Sequence, residues 1–113
     1  MDIKVLIVDD EKGMRTIIEK ILDKSGGFEV VGDTDNGDEA IGIFKEQRPE
    51  VVFLDVQMPG CSGIDCAKRL TDIDPKTIII FATATTILAN MIIHSTFFIF
   101  LKLSIIKISP TFN

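Results

Sequence analysis

The sequence predicts a small doubly wound α/β domain, in which helices cover both faces of a parallel sheet. The first observation is a series of short, nearly uninterrupted apolar runs, which is typical of strands buried on both faces. The second is that helical patterns separate these runs, as in βαβ units with right-handed crossovers. The third is the length, because 113 residues are enough for one hydrophobic core and too few for two. We therefore expect a single domain over residues 1–113.

The first strand and the first helix have clear patterns. Residues 4–8 are an apolar run that ends abruptly at the acidic residues 9–11. The apolar positions that follow have the period of an amphipathic helix: Met14, Ile17, Ile18, Ile21 and Leu22. Gly26 and Gly27 predict the end of this helix, because glycine readily adopts the left-handed conformation that closes one.

The second unit is shorter. Residues 28–31 are predicted as a strand, and residues 32–37, which are mostly turn formers, as a loop. Ala40, Ile41 and Phe44 then indicate a second helix that ends before Pro49.

The third unit repeats this order. Residues 51–54 are a fully apolar strand that ends on Asp55, and a turn-rich loop over residues 58–63 follows. A third helix is predicted with Ile64, Ala67 and Leu70 facing inward, and residues 77–83 are predicted as a fourth buried strand.

The composition changes near residue 85. Residues 85–113 contain no Gly, Asp, Glu or Arg. The apolar residues at 87, 88, 91 and 92 have the spacing of one helical stripe, and no later amphipathic helix is evident. We interpret them as an atypical apolar tail that arises from a shifted reading frame or a truncation. Residues 77–101 carry no Lys, Arg, Asp or Glu and are long enough to span a membrane. A membrane segment is not favoured, because residues 78–80 belong to the strand pattern and polar residues interrupt the apolar stretch that follows.

Charge and cysteine content exclude several classes of protein. The net charge is −5, and all 17 acidic residues lie between Asp2 and Asp74, which argues against a nucleic-acid surface. Cys61 and Cys66 are too few for a disulfide framework, and we expect free, half-buried thiols. The amino terminus lacks the pattern of a secretory signal, so we expect a cytoplasmic protein.

Three carboxylates follow two of the predicted strands: Asp9 and Asp10 after the first, and Asp55 after the third. In a sheet of order 2-1-3-4-5 these strands are neighbours at the switch point where such sheets bind ligands. Each acid disfavours ionisation of the others unless a cation compensates, and oxygen ligands suit Mg²⁺. The plainer interpretation is that these acids are solvated residues at loops and helix starts. Thr83, at the end of the fourth strand, can donate a hydrogen bond to an anion, which suggests a phosphoryl group.

Residues 5–11, 51–60 and 79–84 together resemble the response-regulator receiver domains of bacterial two-component systems, over about residues 1–84. The resemblance implies the flavodoxin-like strand order 2-1-3-4-5. It implies that Asp55 accepts a phosphoryl group from a sensor histidine kinase, and that a conformational switch then controls an output. It further implies that Asp10, the Asp55 carboxylate and the Gln57 backbone carbonyl bind Mg²⁺, with Asp9 acting through water, and that Thr83 is the switch hydroxyl. The implied role is signalling rather than enzymatic turnover.

The tail departs from the family pattern. The family's fifth strand ends in a Lys followed by a Pro, and this chain has no such pair. Lys107 has the most similar context and Lys102 is the alternative, so the fifth strand and last helix are doubtful or missing. An alternative function is a receiver-like interaction module that cannot be phosphorylated, dimerising through the apolar tail. The string at residues 80–84 also resembles receivers that precede DNA-binding effectors of transcription regulators, although this chain contains no effector.

Overall fold

The computed structural model describes residues 2–56, 58 and 62–81, which alternate between strands and helices. The elements, in chain order, are β1 (Ile3–Val8), α1 (Lys12–Ser25), β2 (Phe28–Thr34), α2 (Gly37–Gln47), β3 (Val51–Leu54), α3 (Gly63–Ile73) and β4 (Ile78–Phe81). Every predicted strand and helix before residue 82 is therefore present. The predicted fifth strand, last helix and apolar tail lie outside the described residues.

The four strands form one parallel sheet of order β2-β1-β3-β4. This confirms the doubly wound order predicted for these strands. Because β1 and β3 are adjacent while β2 lies on the outer side of β1, the chain reverses its winding direction at the β1–β3 pair. The carboxyl ends of these two strands are thus the place where a ligand crevice is expected.

Alternate residues of the sheet build two separate cores. On one face, Val5, Ile7 and Phe53 pack with the buried side of α1. On the other face, Leu6 and Leu54 pack with the buried residues of α2 and α3. Successive side chains of a strand point to opposite faces, and helices cover each face of this sheet. The strands are nearly continuous apolar runs because neither face meets solvent.

The helix ends follow local rules. Gly26 and Gly27 close α1 with φ angles of 74° and 87°, as predicted from glycine's tolerance of positive φ. Asn36 precedes α2, and its Oδ1 accepts hydrogen bonds from the backbone N–H groups of Asp38 and Glu39 at 2.8 and 3.1 Å. Ser62 precedes α3, and its Oγ accepts one from the Asp65 N–H at 3.2 Å. These caps fix the helix starts at the carboxyl edge of the sheet.

Strand β2 corrects the predicted loop over residues 32–37. Gly32, Asp33 and Thr34 are turn formers, yet they pair with residues 6–8 of β1 and extend the strand to Thr34. The register shifts between Val5 and Leu6, so one residue of β2 is passed over before pairing resumes. Pairing along the full length of β1 satisfies these backbone groups, and this outweighs local turn propensity.

Helix α3 corrects two further predictions. Ile64 is 47% exposed and does not face inward, because Gly63, Cys66, Ala67 and Leu70 form the buried stripe. Cys66 is fully buried rather than half-buried, and its thiol lies 3.9 Å from the Gly37 carbonyl oxygen. Cys61 lies outside the described residues. Within residues 2–56, 58 and 62–81, no helix is long and apolar enough to cross a membrane.

Candidate functional site

The carboxyl ends of β1 and β3 bring three acidic side chains together. The backbone N–H of Asp55 donates to the Val8 carbonyl at 2.9 Å, which aligns the two strand ends. One carboxylate oxygen from each of Asp9, Asp10 and Asp55 can be chosen so that all three lie within 4.8 Å of one another. The predicted convergence is therefore present in the structure.

Asp9 is the buried member of this cluster, with 5% of its surface exposed. Its backbone N–H donates to the Thr34 carbonyl at 3.0 Å, and its Oδ1 accepts from the Glu11 N–H at 2.9 Å. Burial raises the pKa of Asp9 to about 6, opposed by the Glu11 hydrogen bond and reinforced by the negative charges of Asp55 and Asp10. Ionisation of the Asp9 carboxyl in the folded protein therefore costs free energy.

This chemistry fits a hard divalent cation. Three carboxylates provide only oxygen ligands, and burial, followed by the charges of Asp55 and Asp10, raises the pKa of Asp9, so a cation at this site would favour its ionised form. Mg²⁺ takes one or two carboxylates and keeps several waters, which suits a site whose second member, Asp10, is exposed. Asp55 is partly exposed, so a ligand from solvent can reach its carboxylate.

Gly63 holds the loop that follows Asp55, and the sequence patterns did not identify it as part of the site. Its N–H donates to the Val56 carbonyl at 2.9 Å. A Cβ atom at this position would lie 2.6 Å from the Val56 Cα and would also collide with the Asp55 carbonyl oxygen. Only glycine lets the start of α3 approach this backbone so closely.

Arg15, on the first turns of α1, is the second residue that the sequence patterns missed. Its Nη1 donates to the backbone carbonyl of Asp9 at 2.7 Å, and its Nε donates to Asp33 Oδ2 at 3.3 Å. A basic residue on an amphipathic helix is ordinarily a solvated one, and no sequence signal connects it with Asp33 on the next strand. The pairing depends on how α1 crosses the sheet.

Four predicted site residues lie outside the described residues: Gln57, Thr83, Lys102 and Lys107. The structure consequently bears on Asp9, Asp10 and Asp55 alone among the residues selected from the sequence. Met58, in the loop after Asp55, packs partly buried against the α2 and α3 core.

The chain also matches a protein-family model. The response regulator receiver domain model matches residues 5–95. The chain belongs to the response regulator receiver family. The match extends beyond residue 84, where the resemblance in the sequence was expected to end. This receiver sequence is 43% identical over 81 residues to the chemotaxis protein CheY of Thermotoga maritima, covering 72% of this chain and 67% of CheY.

Longer relatives contain the receiver sequence as one part. The chain is 43% identical over 83 residues to a protein-glutamate methylesterase/protein-glutamine glutaminase of Halalkalibacterium halodurans, and it spans only 24% of that enzyme. A chemotaxis protein and a much longer enzyme therefore both contain a sequence of this kind.

Solved receiver structures have the same fold. The response regulator domain of Thermotoga maritima CheB superposes with a TM-score of 0.68 at 32% identity, over 80% of this chain and 73% of that one. A CheX–CheY–BeF3–Mg²⁺ complex from Borrelia burgdorferi has a TM-score of 0.66 at 30% identity, over 70% of this chain and 60% of that one. The flavodoxin-like receiver fold of this chain is thus established.

Proposed function

We propose that this receiver domain accepts a phosphoryl group on Asp55 from the phosphohistidine of a sensor histidine kinase, with Mg²⁺ bound beside it. The single observation that carries the proposal is the convergence of Asp9, Asp10 and Asp55 at the β1–β3 edge. The similar CheY chain of Borrelia burgdorferi, in a complex with BeF3 and Mg²⁺, supports the same cation for this receiver.

Asp55 is the nucleophile in this proposal. A carboxylate oxygen of Asp55 attacks the phosphorus in line with the bond to the leaving imidazole. The new O–P bond forms as the N–P bond breaks, and the electron pair leaves with the kinase imidazole. The hydrogen bond from the Asp55 N–H to Val8 and the close approach of Gly63 hold this residue at the end of β3.

The acidic cluster would hold the cation. Asp10, Asp55 and the backbone carbonyl of Gln57 would be its direct ligands, and Asp9 would act through water. When bound, Mg²⁺ neutralises the charge that develops on the phosphoryl oxygens. Asp9 is suited to the indirect role, because its Oδ1 already accepts the Glu11 N–H.

Thr83 and one lysine complete the proposal. The Thr83 hydroxyl donates to a phosphoryl oxygen, and Lys107, or alternatively Lys102, pairs with the acidic cluster. Phosphorylation adds about −1.5 to −2 charge, and the domain then shifts its population towards the conformation that a partner recognises. The domain acts as a cytoplasmic signalling module whose output, such as transcription control, is provided by a partner or a longer protein.

Incubation with acetyl phosphate and Mg²⁺ tests this function. We expect intact-mass spectrometry to show one acid-labile phosphoryl group on the wild-type protein and none on Asp55→Asn. The matched control is Asp35→Asn, because Asp35 is exposed at the same edge of the sheet, directly after β2; this variant is expected to be phosphorylated normally. A folded wild-type protein that takes up no phosphoryl group would instead favour the interaction module, and labelling of Asp55→Asn would assign the acceptor to another residue.

A further inference from the structure

The Arg15 side chain connects three elements at the acidic site. It originates from α1, contacts the turn after β1 through the Asp9 carbonyl, and contacts β2 through Asp33. Only 14% of the Arg15 side chain is exposed, compared with 42% of the Asp33 side chain. A guanidinium that is largely removed from water needs acceptors within the protein, and these two bonds provide them for its Nε–H and one Nη1–H.

The bond to the Asp9 carbonyl fixes a particular peptide unit. That carbonyl belongs to the peptide group between Asp9 and Asp10, so its direction sets the direction in which the Asp10 backbone continues. The N–H of Asp9 is held separately by the Thr34 carbonyl, and its Oδ1 by the Glu11 N–H. Asp10 itself is exposed, so packing does not orient it. Arg15 therefore restrains the carbonyl immediately before Asp10, in addition to the bond that Asp9 Oδ1 accepts within the turn.

The planar guanidinium is suited to this task. Its Nε and Nη1 donors form a rigid fork, so a group that pairs with Asp33 through one nitrogen presents the other in a fixed direction. Asp33 is itself held in β2 by its pairing with Ile7 of β1. The chain of contacts from β2 through Asp33 and Arg15 to the Asp9 carbonyl thus ties the acidic turn to the sheet.

We propose that Arg15 is a positioning residue, which orients the Asp9–Asp10 peptide through its 2.7 Å hydrogen bond and so prepares Asp10 to bind Mg²⁺. This inference rests on the proposed function, because it concerns the same cation. The charge of Arg15 acts in the opposite sense. A positive charge near the carboxylates opposes cation binding, so its removal alone would strengthen Mg²⁺ binding. Orientation and charge therefore predict effects of opposite sign.

The test is the Mg²⁺ dissociation constant of Arg15→Met, measured by NMR titration because the chain has no Trp or Tyr. We expect about tenfold weaker binding, as is typical when a residue that orients a metal ligand is lost. Arg15→Lys keeps the charge without the fork and is also expected to bind Mg²⁺ more weakly. In the metal-free protein, Arg15→Met is expected to move the Asp10 amide resonance, because the hydrogen bond to the preceding carbonyl is gone.

Arg69→Met is the matched control. Arg69 also donates to an aspartate across two elements, at 3.1 Å from Asp38, but this pair is exposed and joins α3 to α2. We expect unchanged Mg²⁺ affinity. Thermal unfolding of each variant ensures that affinities are compared between folded proteins. Asp33→Asn, which keeps an acceptor for Arg15, is expected to weaken binding less and provides the comparison if Arg15→Met does not fold.

The outcomes separate the two proposals. Unchanged or tighter Mg²⁺ binding by folded Arg15→Met, or full retention of affinity by Arg15→Lys, overturns the positioning role while leaving the proposed function in place. Absence of Mg²⁺ binding by the wild-type protein overturns both, because the acidic cluster would then not be a cation site.

Discussion

Asp9 and Asp10 are consecutive residues with different surroundings. The Asp9 carboxylate is buried and accepts a backbone hydrogen bond, whereas Asp10 is exposed. The sequence predicts that both follow the first strand, and the alternation of a strand places successive side chains on opposite sides. It does not show how much protein covers each side, because that cover comes from β2 and the start of α1.

The buried acid predicts a pH dependence of stability. The pKa of Asp9 is raised from 3.8 to about 6, so between these values the folded state binds more protons than the unfolded state. Stability therefore falls as the pH rises through this window, and the full penalty is present above it. Without Mg²⁺, Asp9→Asn is expected to raise the free energy of unfolding at neutral pH by on the order of 1–3 kcal/mol.

Urea unfolding in EDTA at several pH values measures this effect. The advantage of Asp9→Asn should shrink as the pH falls from about 6 to 3.8, and it should vanish only below 3.8, where the wild-type side chain is protonated in both states. Glu29→Gln removes an exposed charge from β2 and is expected to show little change. An advantage of Asp9→Asn that is constant with pH would contradict the electrostatic explanation.

At the scale of elements, α3 shows where sequence patterns are sufficient and where they are not. Its existence and its inward residues Ala67 and Leu70 follow from the apolar spacing. The rotation of the helix does not, because Gly63 approaches the Val56 backbone closely and thereby turns Ile64 towards solvent. A neighbouring element also determines the length of β2, because backbone pairing with β1 extends this strand beyond its apolar residues.

Two glycine substitutions are expected to have opposite effects. Gly63→Ala would place a methyl group against the backbone after Asp55, and relieving the collision requires this loop to move. We expect it to lower the free energy of unfolding by about 1–3 kcal/mol and to slow phosphorylation by acetyl phosphate. Gly42→Ala, in α2 where the added carbon would contact nothing beyond the local backbone of its own helix, should raise stability by about 0.5–1 kcal/mol.

Chemical denaturation compares the two variants directly. Each variant adds the same methyl group to a helix, and only Gly63 meets a close backbone contact, so a much lower stability of Gly63→Ala is expected to reflect that contact. Equal stability of the two variants would show that the start of α3 moves away from the Asp55–Val56 backbone without a loss of folding free energy.

At the scale of the whole molecule, the acidic site connects ligand binding to folding. Its members come from the ends of two strands that belong to different βα units, so the cluster exists only when the sheet has formed. A cation that binds the folded state alone must therefore stabilise it.

We expect Mg²⁺ at 100 times its dissociation constant to raise the free energy of unfolding by about 2.7 kcal/mol. Asp10→Ala should remove most of this gain. It should leave the metal-free protein nearly unchanged, because Asp10 is exposed. Asp35→Asn should retain the gain, and thermal unfolding with and without Mg²⁺ measures all three proteins. A Mg²⁺ effect that survives in Asp10→Ala would place the cation elsewhere.

The sequence by itself determined the fold class, the order of elements and the meeting of Asp9, Asp10 and Asp55. Apolar periodicity identifies strands and helices, and a parallel sheet brings the carboxyl ends of its strands to one edge. The tertiary structure alone decided that Asp9 is buried, that Ile64 faces solvent and that Arg15 joins Asp33 to the Asp9 carbonyl. The physical reason is that desolvation and hydrogen bonding depend on which neighbours cover a group. For Arg15 and Asp33 that neighbour is 18 residues away along the chain, across a helix and a turn.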